Sequence, residues 1–247
     1  MTTADLRLGA YAAVLSGETW DALICDPPFS AKTHSGHNDA RAAFGEDERR
    51  EIDYPHWTPA DVQAFVKWAS PRTRNWLVVF TDSVLCFDYR TAFEAEGLVS
   101  FPPIPCIQPG RTKRAWGDGP PSCTDQLMVA RHRRRDYINR WYPASHYIAP
   151  RDCAPGAGRV GGKPEAMMHA IVRDYSRPGD VVCDPTAGLA TTLVAARGLG
   201  RVALGAEQDH ATHAKALERL ARPWQPMMVD APAEGRQIDM LATVETR

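Results

Sequence analysis

The segment Gly179–Thr192, which reads GDVVCDPTAGLATT, predicts the fold class most directly. Within it, Val181–Cys183 predicts a buried strand, the small residues after Asp184 predict a tight turn, and Thr191 begins a predicted helix. A strand, turn and helix in this order let the backbone approach a nucleotide-like ligand. Glu207 follows 23 positions after Asp184, at the end of the next apolar run. An acid at that place is suited to hydrogen-bond ribose hydroxyls, so the sequence predicts a nucleotide-type site here.

Outside this stretch, short apolar runs alternate with helix-like segments, which is typical of an α/β fold with a largely parallel, doubly wound sheet. The other predicted strands are Ala22–Cys25, Trp76–Phe80, Gln126–Ala130 and Val202–Ala206. The predicted helices are Asp61–Ala69, Glu165–Tyr175, Thr191–Arg197 and His210–Ala221. Two long stretches show no regular pattern: Ser30–His56, and Phe101–Gly162 apart from the predicted strand Gln126–Ala130 within it. Loops of that length are usually functional.

The composition of the chain limits its class. With 247 residues, 44% of them hydrophobic, it can bury a core without disulfides or a structural metal. Its six cysteines are scattered singly, which predicts reduced, buried thiols and no metal site. No apolar run approaches the roughly 18 residues of a membrane span, and the N-terminus lacks a secretory pattern. We therefore expect a cytoplasmic protein with no membrane partner.

Basic residues concentrate between residues 111 and 159, although the whole chain carries 29 basic and 30 acidic residues. This segment has ten basic against four acidic residues, interleaved with tryptophan and tyrosine. The pattern fits a phosphate-binding surface with stacking side chains, but charge alone does not separate it from a solvated loop. The candidate nucleic-acid contacts are Arg111, Lys113, Arg114, Arg131, Arg133, Arg134 and Arg135.

A second motif, Asp26-Pro27-Pro28-Phe29, directly follows the predicted strand Ala22–Cys25. The two prolines make a rigid turn and leave carbonyl groups free to accept hydrogen bonds. The Asp26 carboxylate and the Pro27 carbonyl can each accept one N–H of a planar exocyclic amine, while Phe29 stacks on its ring. Each charged hydrogen bond contributes about 1.5–3 kcal/mol, and the pair favours a tetrahedral, nucleophilic nitrogen. Taken alone, the motif is also compatible with a simple strand-ending turn.

Together with Gly162-Lys163-Pro164, the two motifs resemble the amino-methyltransferases of DNA. These enzymes transfer a methyl group from S-adenosylmethionine (SAM) to adenine N6 or cytosine N4. Their catalytic tetrapeptide reads [D/N/S]-P-P-[Y/F/W], and their cofactor motif reads approximately D-P-F-x-G-S-G-T-T. The catalytic motif comes first here, which resembles the circularly permuted group called β. The resemblance covers about residues 6–222 and implies a Rossmann-like, SAM-dependent methyltransferase fold in a single domain.

The resemblance also implies roles for the matching residues. The catalytic residues are Asp26, Pro27, Pro28 and Phe29, which hold the amine and stack on the flipped base. The cofactor-binding residues are Leu8, Gly9, Ala10, Lys163, Pro164, Asp184, Pro185, Thr186, Gly188, Thr191, Thr192 and Glu207. In this assignment, Lys163 and Pro164 flank SAM, the loop after Asp184 lines its methionine end, and Glu207 binds the ribose. The chain departs from the family pattern at Thr186, Leu189-Ala190 and Ala10, where the family has Phe, Ser-Gly and Asp.

The parts of the expected domain are a lid at about 30–57, an inserted target-recognition region at about 108–162, a cofactor-binding part at about 163–222, and a loosely held tail at about 225–247. The leading hypothesis is a DNA adenine-N6 methyltransferase acting on double-stranded DNA, because Asp at the first catalytic position resembles adenine enzymes more than cytosine ones. The alternatives are cytosine N4, RNA as the substrate, and a non-catalytic nucleic-acid-binding subunit, the last prompted by Thr186 and Ala10. The short recognition region favours a homodimer.

Overall fold

A computed structural model describes residues 4–36, 54–109, 122, 124–133, 143–149 and 162–224. Within these residues, one sheet holds nine strands in the order β1-β9-β8-β2-β3-β6-β5-β7, and β4 pairs with β6. The strands are β1 Ala4–Leu8, β2 Trp20–Cys25, β3 Thr73–Thr81, β4 Val99–Ser100, β5 Ile104–Ile107, β6 Thr124–Arg131, β7 Tyr147–Ile148, β8 Val181–Asp184 and β9 Val202–Glu207. Strands β1, β9, β8, β2 and β3 pair in parallel, and β6 runs antiparallel to β3.

Helices pack on both faces of the sheet, so its central strands are buried on both sides. The helices are α1 Tyr11–Val14, α2 at 31–36, α3 Pro59–Ala69, α4 Cys86–Ala95, α5 Glu165–Tyr175, α6 Thr191–Gly198 and α7 His210–Ala221. Side chains of β2 alternate between the two layers, since Ile24 joins the core under α5 and α6, and Leu23 joins the core under α3 and α4. The predicted doubly wound α/β fold is confirmed.

The five predicted strands and the four predicted helices are all present, with ends that differ by at most three residues. Seven elements were not predicted from the sequence: β1, β4, β5, β7, α1, α2 and α4. Strands β4 and β7 have two residues each, and Pro105 interrupts the strand pattern of β5. The prediction that residues 30–56 and 101–162 are irregular apart from one strand was partly wrong, because the first range contains α2 and the second contains β5 and β7. Residues 37–53, most of the recognition region and the tail at 225–247 lie outside the described residues.

The parallel strands place their carboxyl ends along one edge of the sheet, which we call the catalytic edge because the tetrapeptide expected to be catalytic, Asp26–Phe29, follows β2 there. Strand β6 is antiparallel, so its beginning lies at this edge, with Gln126 opposite Thr81. The four described cysteines, Cys25, Cys86, Cys106 and Cys183, are buried free thiols, as predicted. Among the described helices, none combines the length and the apolar character needed to cross a bilayer.

Candidate active site

Acidic side chains from five neighbouring strands meet at the catalytic edge. Glu207 ends β9, Asp184 ends β8, Asp26 follows β2, Asp82 follows β3, and Asp125 lies at the beginning of β6. Apart from Asp26, all of these residues are buried. A buried carboxylate is costly unless hydrogen bonds or opposite charge compensate its lost hydration. The partners of each acid therefore indicate how it is held and what it can do.

The two sequence motifs lie next to each other at this edge. Strands β2 and β8 are paired in parallel, with Leu23 opposite Cys183. Continuing this register places Asp184 beside Ile24, so Asp26 stands two residues further along the neighbouring strand. Adjacent strands are only about 4.8 Å apart. The sheet topology therefore places the two motifs side by side, as the positions of both motifs after parallel strands require.

Asp26 is paired with Lys163, which lies 137 positions later in the chain. The Lys163 Nζ donates to Asp26 Oδ2 at 2.5 Å, and it lies 3.5 Å from Asp125 Oδ2. The Lys163 side chain is 4% exposed, whereas that of Asp26 is 27% exposed. Gln108 Nε2 donates to Asp125 Oδ2 at 3.3 Å. Asp26 thus belongs to a charged cluster that the sequence analysis did not predict.

Phe29, the last residue of the tetrapeptide, is fixed by both its ring and its backbone. The Lys163 Nζ lies 5.0 Å from the centroid of the Phe29 ring, and the backbone carbonyl of Phe29 accepts a hydrogen bond from the Trp57 N–H at 2.9 Å. Trp57 and Ser30 also form a parallel β-bridge. These contacts join the two ends of the predicted lid. The lid itself stays a prediction, because residues 37–53 lie outside the described residues.

Asp82 anchors the segment that follows the tetrapeptide, and the sequence analysis missed it. Its Oδ2 accepts hydrogen bonds from the Ser30 N–H at 2.9 Å, the Ser30 hydroxyl at 2.5 Å and the Thr33 hydroxyl at 2.5 Å. Its Oδ1 accepts from the backbone N–H groups of Val84 and Leu85, both at 3.0 Å. An acid just after a predicted strand, as at Asp26 and Asp184, was the available signal.

Asp184 is held by neutral donors. Its Oδ1 accepts from the Thr186 N–H at 3.1 Å and from the Thr186 hydroxyl at 3.4 Å. Burial raises the pKa of Asp184 to about 7, with smaller contributions from the charges of Asp26 and Glu207, while hydrogen bonds from Thr192 and Thr186 lower it. The side chain of Thr186, where the family pattern has an aromatic residue, therefore acts on the Asp184 carboxylate.

The turn between Asp184 and α6 contains two left-handed residues, Gly188 with φ 52° and Ala190 with φ 60°. Ala190 is the N-cap residue of α6 and is fully buried. A Cβ added to Gly188 would meet no described atom within 4 Å, so there is open space next to this part of the turn. A non-glycine residue in the left-handed region is strained, which makes Ala190 unusual.

Glu207 and the Leu8–Ala10 segment also lie together, as the resemblance implied. Leu8 pairs with Glu207 across β1 and β9, and the Gly9 N–H donates to the Glu207 backbone carbonyl at 2.9 Å. The Glu207 carboxylate accepts the Asp209 N–H at 2.8 Å, which orients it at the end of β9. Leu8–Ala10 and Glu207 thus lie together where β1 and β9 end.

Arg219 of α7 holds the turn between Asp184 and α6 in place, and it was not predicted from the sequence. It donates to the Leu189 carbonyl at 3.1 Å and to the Thr191 hydroxyl at 2.8 Å. Its other terminal nitrogen donates to Glu165 Oε2 at 2.8 Å, at the beginning of α5. Arg219 therefore connects the turn that carries Gly188 to the segment that carries Lys163.

The candidate phosphate contacts are not brought to this edge in the described part of the chain. Arg131 pairs with Trp76 near the beginning of β3, at the opposite edge, and its guanidinium lies 5.8 Å from the Trp76 ring and 5.7 Å from the Phe101 ring. Arg133 follows two residues later. This position does not support their role as phosphate contacts near Asp26. The other candidates lie outside the described residues: Arg111, Lys113, Arg114, Arg134 and Arg135.

The edge of this mostly parallel sheet carries a buried acid and a glycine turn after β8, and D-P-P-F after the neighbouring strand β2. The fold is similar to that of Rossmann-like, SAM-dependent methyltransferases of known structure. Residues 128–218 match the family model of N6/N4 type described as DNA methylase. Type II methyltransferase M.HinfI of Haemophilus influenzae is 40% identical over 47 residues, which are 19% of this chain and 13% of that protein.

Solved DNA methyltransferases share the fold over nearly the whole chain. The M1.HpyAVI–SAM complex has a TM-score of 0.63 at 17% identity, covering 88% of this chain and 100% of that one. A putative DNA modification methylase from Thermus thermophilus, complexed with SAM, has a TM-score of 0.60 at 20% identity, covering 91% and 96%. The cytosine-N4-specific PvuII DNA methyltransferase has a TM-score of 0.66 at 13% identity, covering 92% and 89%. The predicted resemblance is confirmed; the circular permutation stays a prediction.

Proposed function

We propose that this protein transfers a methyl group from SAM to the exocyclic amine of a base in duplex DNA, with adenine N6 as the favoured target. The observation that carries the proposal is the adjacency of the two motifs, because Asp26 and Asp184 stand at the ends of paired strands. A carboxylate suited to grip an amine therefore lies beside a turn suited to hold a nucleotide-like cofactor.

The residues at the β8 and β9 ends fit SAM. When bound, SAM supplies an electrophilic methyl group on a sulfonium centre. Glu207 can accept hydrogen bonds from ribose hydroxyls, and the Asp184 carboxylate suits a ligand that carries positive charge. The open space beside Gly188 leaves room for the ligand at the turn. Leu8, Gly9 and Ala10 border the same site next to Glu207.

Asp26, Pro27 and Phe29 form the proposed amine site. The Asp26 carboxylate and the Pro27 carbonyl each accept one N–H of the amine, and Phe29 stacks on the ring of the base. A base inside the duplex cannot reach this site, so it must be flipped out before the reaction. Asp26 can also receive the proton that the amine loses. Orientation of the amine provides most of the rate enhancement in this proposal.

Adenine is favoured over cytosine by Asp26, since serine is common at this position in the cytosine enzymes that the motif resembles. The structural relatives do not separate the two, because PvuII DNA methyltransferase is cytosine-N4-specific. The proposed substrate is double-stranded DNA, and a homodimer stays a prediction.

Mass spectrometry of nucleosides from cells that produce the protein tests the base and the nucleic acid together. We expect N6-methyladenine in DNA, and none from cells producing the Asp26→Ala variant. N4-methylcytosine would change the target base, and methylation in RNA alone would change the substrate. Absence of methylation in both nucleic acids, together with no heat and no thermal stabilisation on titration with SAM, would support the alternative of a non-catalytic subunit that has lost SAM binding.

A further inference from the structure

Lys163 brings an ammonium group into the middle of the proposed amine site. It stands two residues before α5, and its Nζ contacts both Asp26 Oδ2 at 2.5 Å and Asp125 Oδ2 at 3.5 Å. Because its side chain is 4% exposed, solvent and salt screen these ion pairs weakly. Taking an ammonium out of water is costly unless carboxylates compensate it, so the buried position of Lys163 depends on both Asp26 and Asp125.

The same ammonium also faces two aromatic rings. It lies 5.0 Å from the centroid of Phe29 and 4.8 Å from that of Phe80, both within the range of a cation–π interaction, about 6 Å. Lys163 therefore contacts the carboxylate and the ring of the tetrapeptide at once. A rotation of the Asp26 side chain away from Phe29 would break the ion pair. The ammonium thus fixes the hydrogen-bond acceptor relative to the stacking ring.

A second carboxylate holds Lys163 from the other side. Asp125 is fully buried at the beginning of β6, where Cys106 of β5 is its register partner. Gln108, one residue after β5, donates its Nε2 to the same Asp125 oxygen that lies near Lys163. Strands β5 and β6 thereby supply a rigid support for the ammonium. Removing Asp125 would take away one of the two carboxylates that face the ammonium.

We propose that Lys163 is a positioning residue for the transfer reaction, and that Asp125 with Gln108 anchors its ammonium. The inference rests on the proposed function. A carboxylate has several acceptor sites, so Asp26 can hold Lys163 and still accept an N–H of the amine. Lys163 acts through Asp26 and Phe29 and does not touch the reacting atoms. The resemblance implied a place beside SAM for Lys163, whereas the contacts of its ammonium assign it to the tetrapeptide.

The test compares kcat, the KM for DNA and the affinity for SAM in the full chain and its variants. Lys163→Met keeps the apolar stem and removes the charge, so we expect kcat to fall about 100-fold, the loss typical of a misplaced reacting group. The KM for DNA and the Kd for SAM should stay within about threefold, because both sites keep their contacting residues. Lys67→Met, on an exposed position of α3, is the matched control and should leave every constant unchanged.

The anchor is tested by Asp125→Asn, alone and combined with Lys163→Met. We expect the single change to lower kcat about tenfold, and the double variant to be no slower than Lys163→Met, because groups that act as a unit are not additive. If the losses in kcat of the two single variants multiply in the double variant, that result would contradict the role of Asp125 as the anchor of Lys163. Far-UV circular dichroism verifies that each variant is folded, and Lys163→Gln replaces Lys163→Met if the latter does not fold.

Two results would overturn the inference while leaving the proposed function intact. One is a Lys163→Met variant whose kcat stays within about threefold of the wild type. The other is a large rise in the Kd for SAM at unchanged kcat, which would make Lys163 a cofactor ligand. If the wild-type protein binds SAM but methylates neither DNA nor RNA, the proposed function itself fails and the inference fails with it.

Discussion

Asp184 and Asp26 stand at the ends of neighbouring strands, but their surroundings treat the negative charge in opposite ways. Asp184 is fully buried among neutral donors from Thr186 and Thr192, and burial raises its pKa to about 7. Asp26 is partly exposed and has the ammonium of Lys163 at 2.5 Å. The Asp184 carboxyl thus becomes charged only around neutral pH, whereas the Asp26 carboxylate has the ammonium of Lys163 as a resident counter-ion.

The difference matches the two proposed tasks. Asp184 has no ion pair with another described residue, so it is suited to a positively charged ligand that binds, leaves and supplies the counter-charge while bound. A carboxylate with a fixed cation keeps its orientation between turnovers and serves as a permanent acceptor. We therefore expect changes on the Asp26 side to affect kcat, and changes on the Asp184 side to affect the affinity for SAM.

The largest effect is expected from Asp26→Ala. Loss of the acceptor should reduce methyl transfer about 1,000-fold, within the range for groups that handle a proton in the reaction. The Kd for SAM should change little, because the cofactor residues end different strands. Single-turnover methyl transfer and calorimetry measure the two quantities. A variant with near-normal turnover would refute the role of Asp26, and one that loses SAM binding would show that the two sides are not separable.

Asp82→Asn tests whether the Asp26 side of the site depends on Asp82, which holds the segment that follows the tetrapeptide. Both carboxylate oxygens accept hydrogen bonds, so an amide in either orientation turns a donor toward other donors. We expect the free energy of unfolding to fall by about 2–3 kcal/mol, and kcat to fall because Ser30 directly follows Phe29. Urea denaturation measures the first effect. Asp88→Asn, in the first turn of α4, is the control and should have little effect on either quantity.

The raised pKa of Asp184 predicts that SAM affinity depends on pH. Below about pH 7 the carboxyl is protonated, so cation binding must displace a proton and the affinity should fall toward tenfold per pH unit. Above about pH 8 the affinity should level off. Calorimetry across this range, with Asp184→Asn as the comparison, separates this carboxyl from other groups. A wild-type pH profile identical to that of the variant would contradict the assignment.

The same carboxyl makes a further contribution to the pH dependence of stability. A carboxyl whose pKa is higher in the folded than in the unfolded state binds its proton more tightly when folded, so its contribution to stability falls as the pH rises from about 4 to about 7. Asp184→Asn should remove this decline. The difference in urea midpoint between variant and wild type should therefore move in favour of the variant as the pH rises.

The arrangement of the residues proposed to hold the cofactor was largely predictable from the sequence, because most of them are close in the chain. A strand, a turn and a helix within Gly179–Thr192 form one local unit, and Glu207 ends the next strand. The tetrapeptide was predictable for the same reason, since it follows the apolar run of β2. Parallel strands end at a common edge, and this rule placed the two motifs together.

The catalytic half also depends on contacts that no local pattern specifies. Lys163 reaches Asp26 from 137 positions away, and the anchor at Asp125 depends on β6 running antiparallel to β3. Strand direction is not encoded in the period of an apolar run. The same reversal places Arg131 at the edge opposite Asp26, although a residue after a strand would otherwise be expected at the catalytic edge.

The smallest effects on stability are expected at Gly188 and Ala190, the two left-handed residues of the turn between Asp184 and α6. Ala190→Gly relieves strain of about 1–2 kcal/mol, but it removes a buried methyl group and makes the unfolded chain more flexible, so the net change in unfolding free energy should stay within about 1 kcal/mol. Gly188→Ala adds strain, and its Cβ meets no described atom, so we expect a loss of about 1 kcal/mol.

The affinity for SAM separates this pair of variants more clearly than stability does. The Cβ of Gly188→Ala enters the space proposed for the cofactor, so the Kd should rise at least about tenfold, whereas Ala190→Gly should leave it within about threefold. Thermal shift with and without SAM measures both effects in one experiment. An equal response of the two variants would mean that the open space at Gly188 is not the cofactor site. That result would also remove the structural reason for assigning SAM binding to the Gly188 side of the site and catalysis to the Asp26 side.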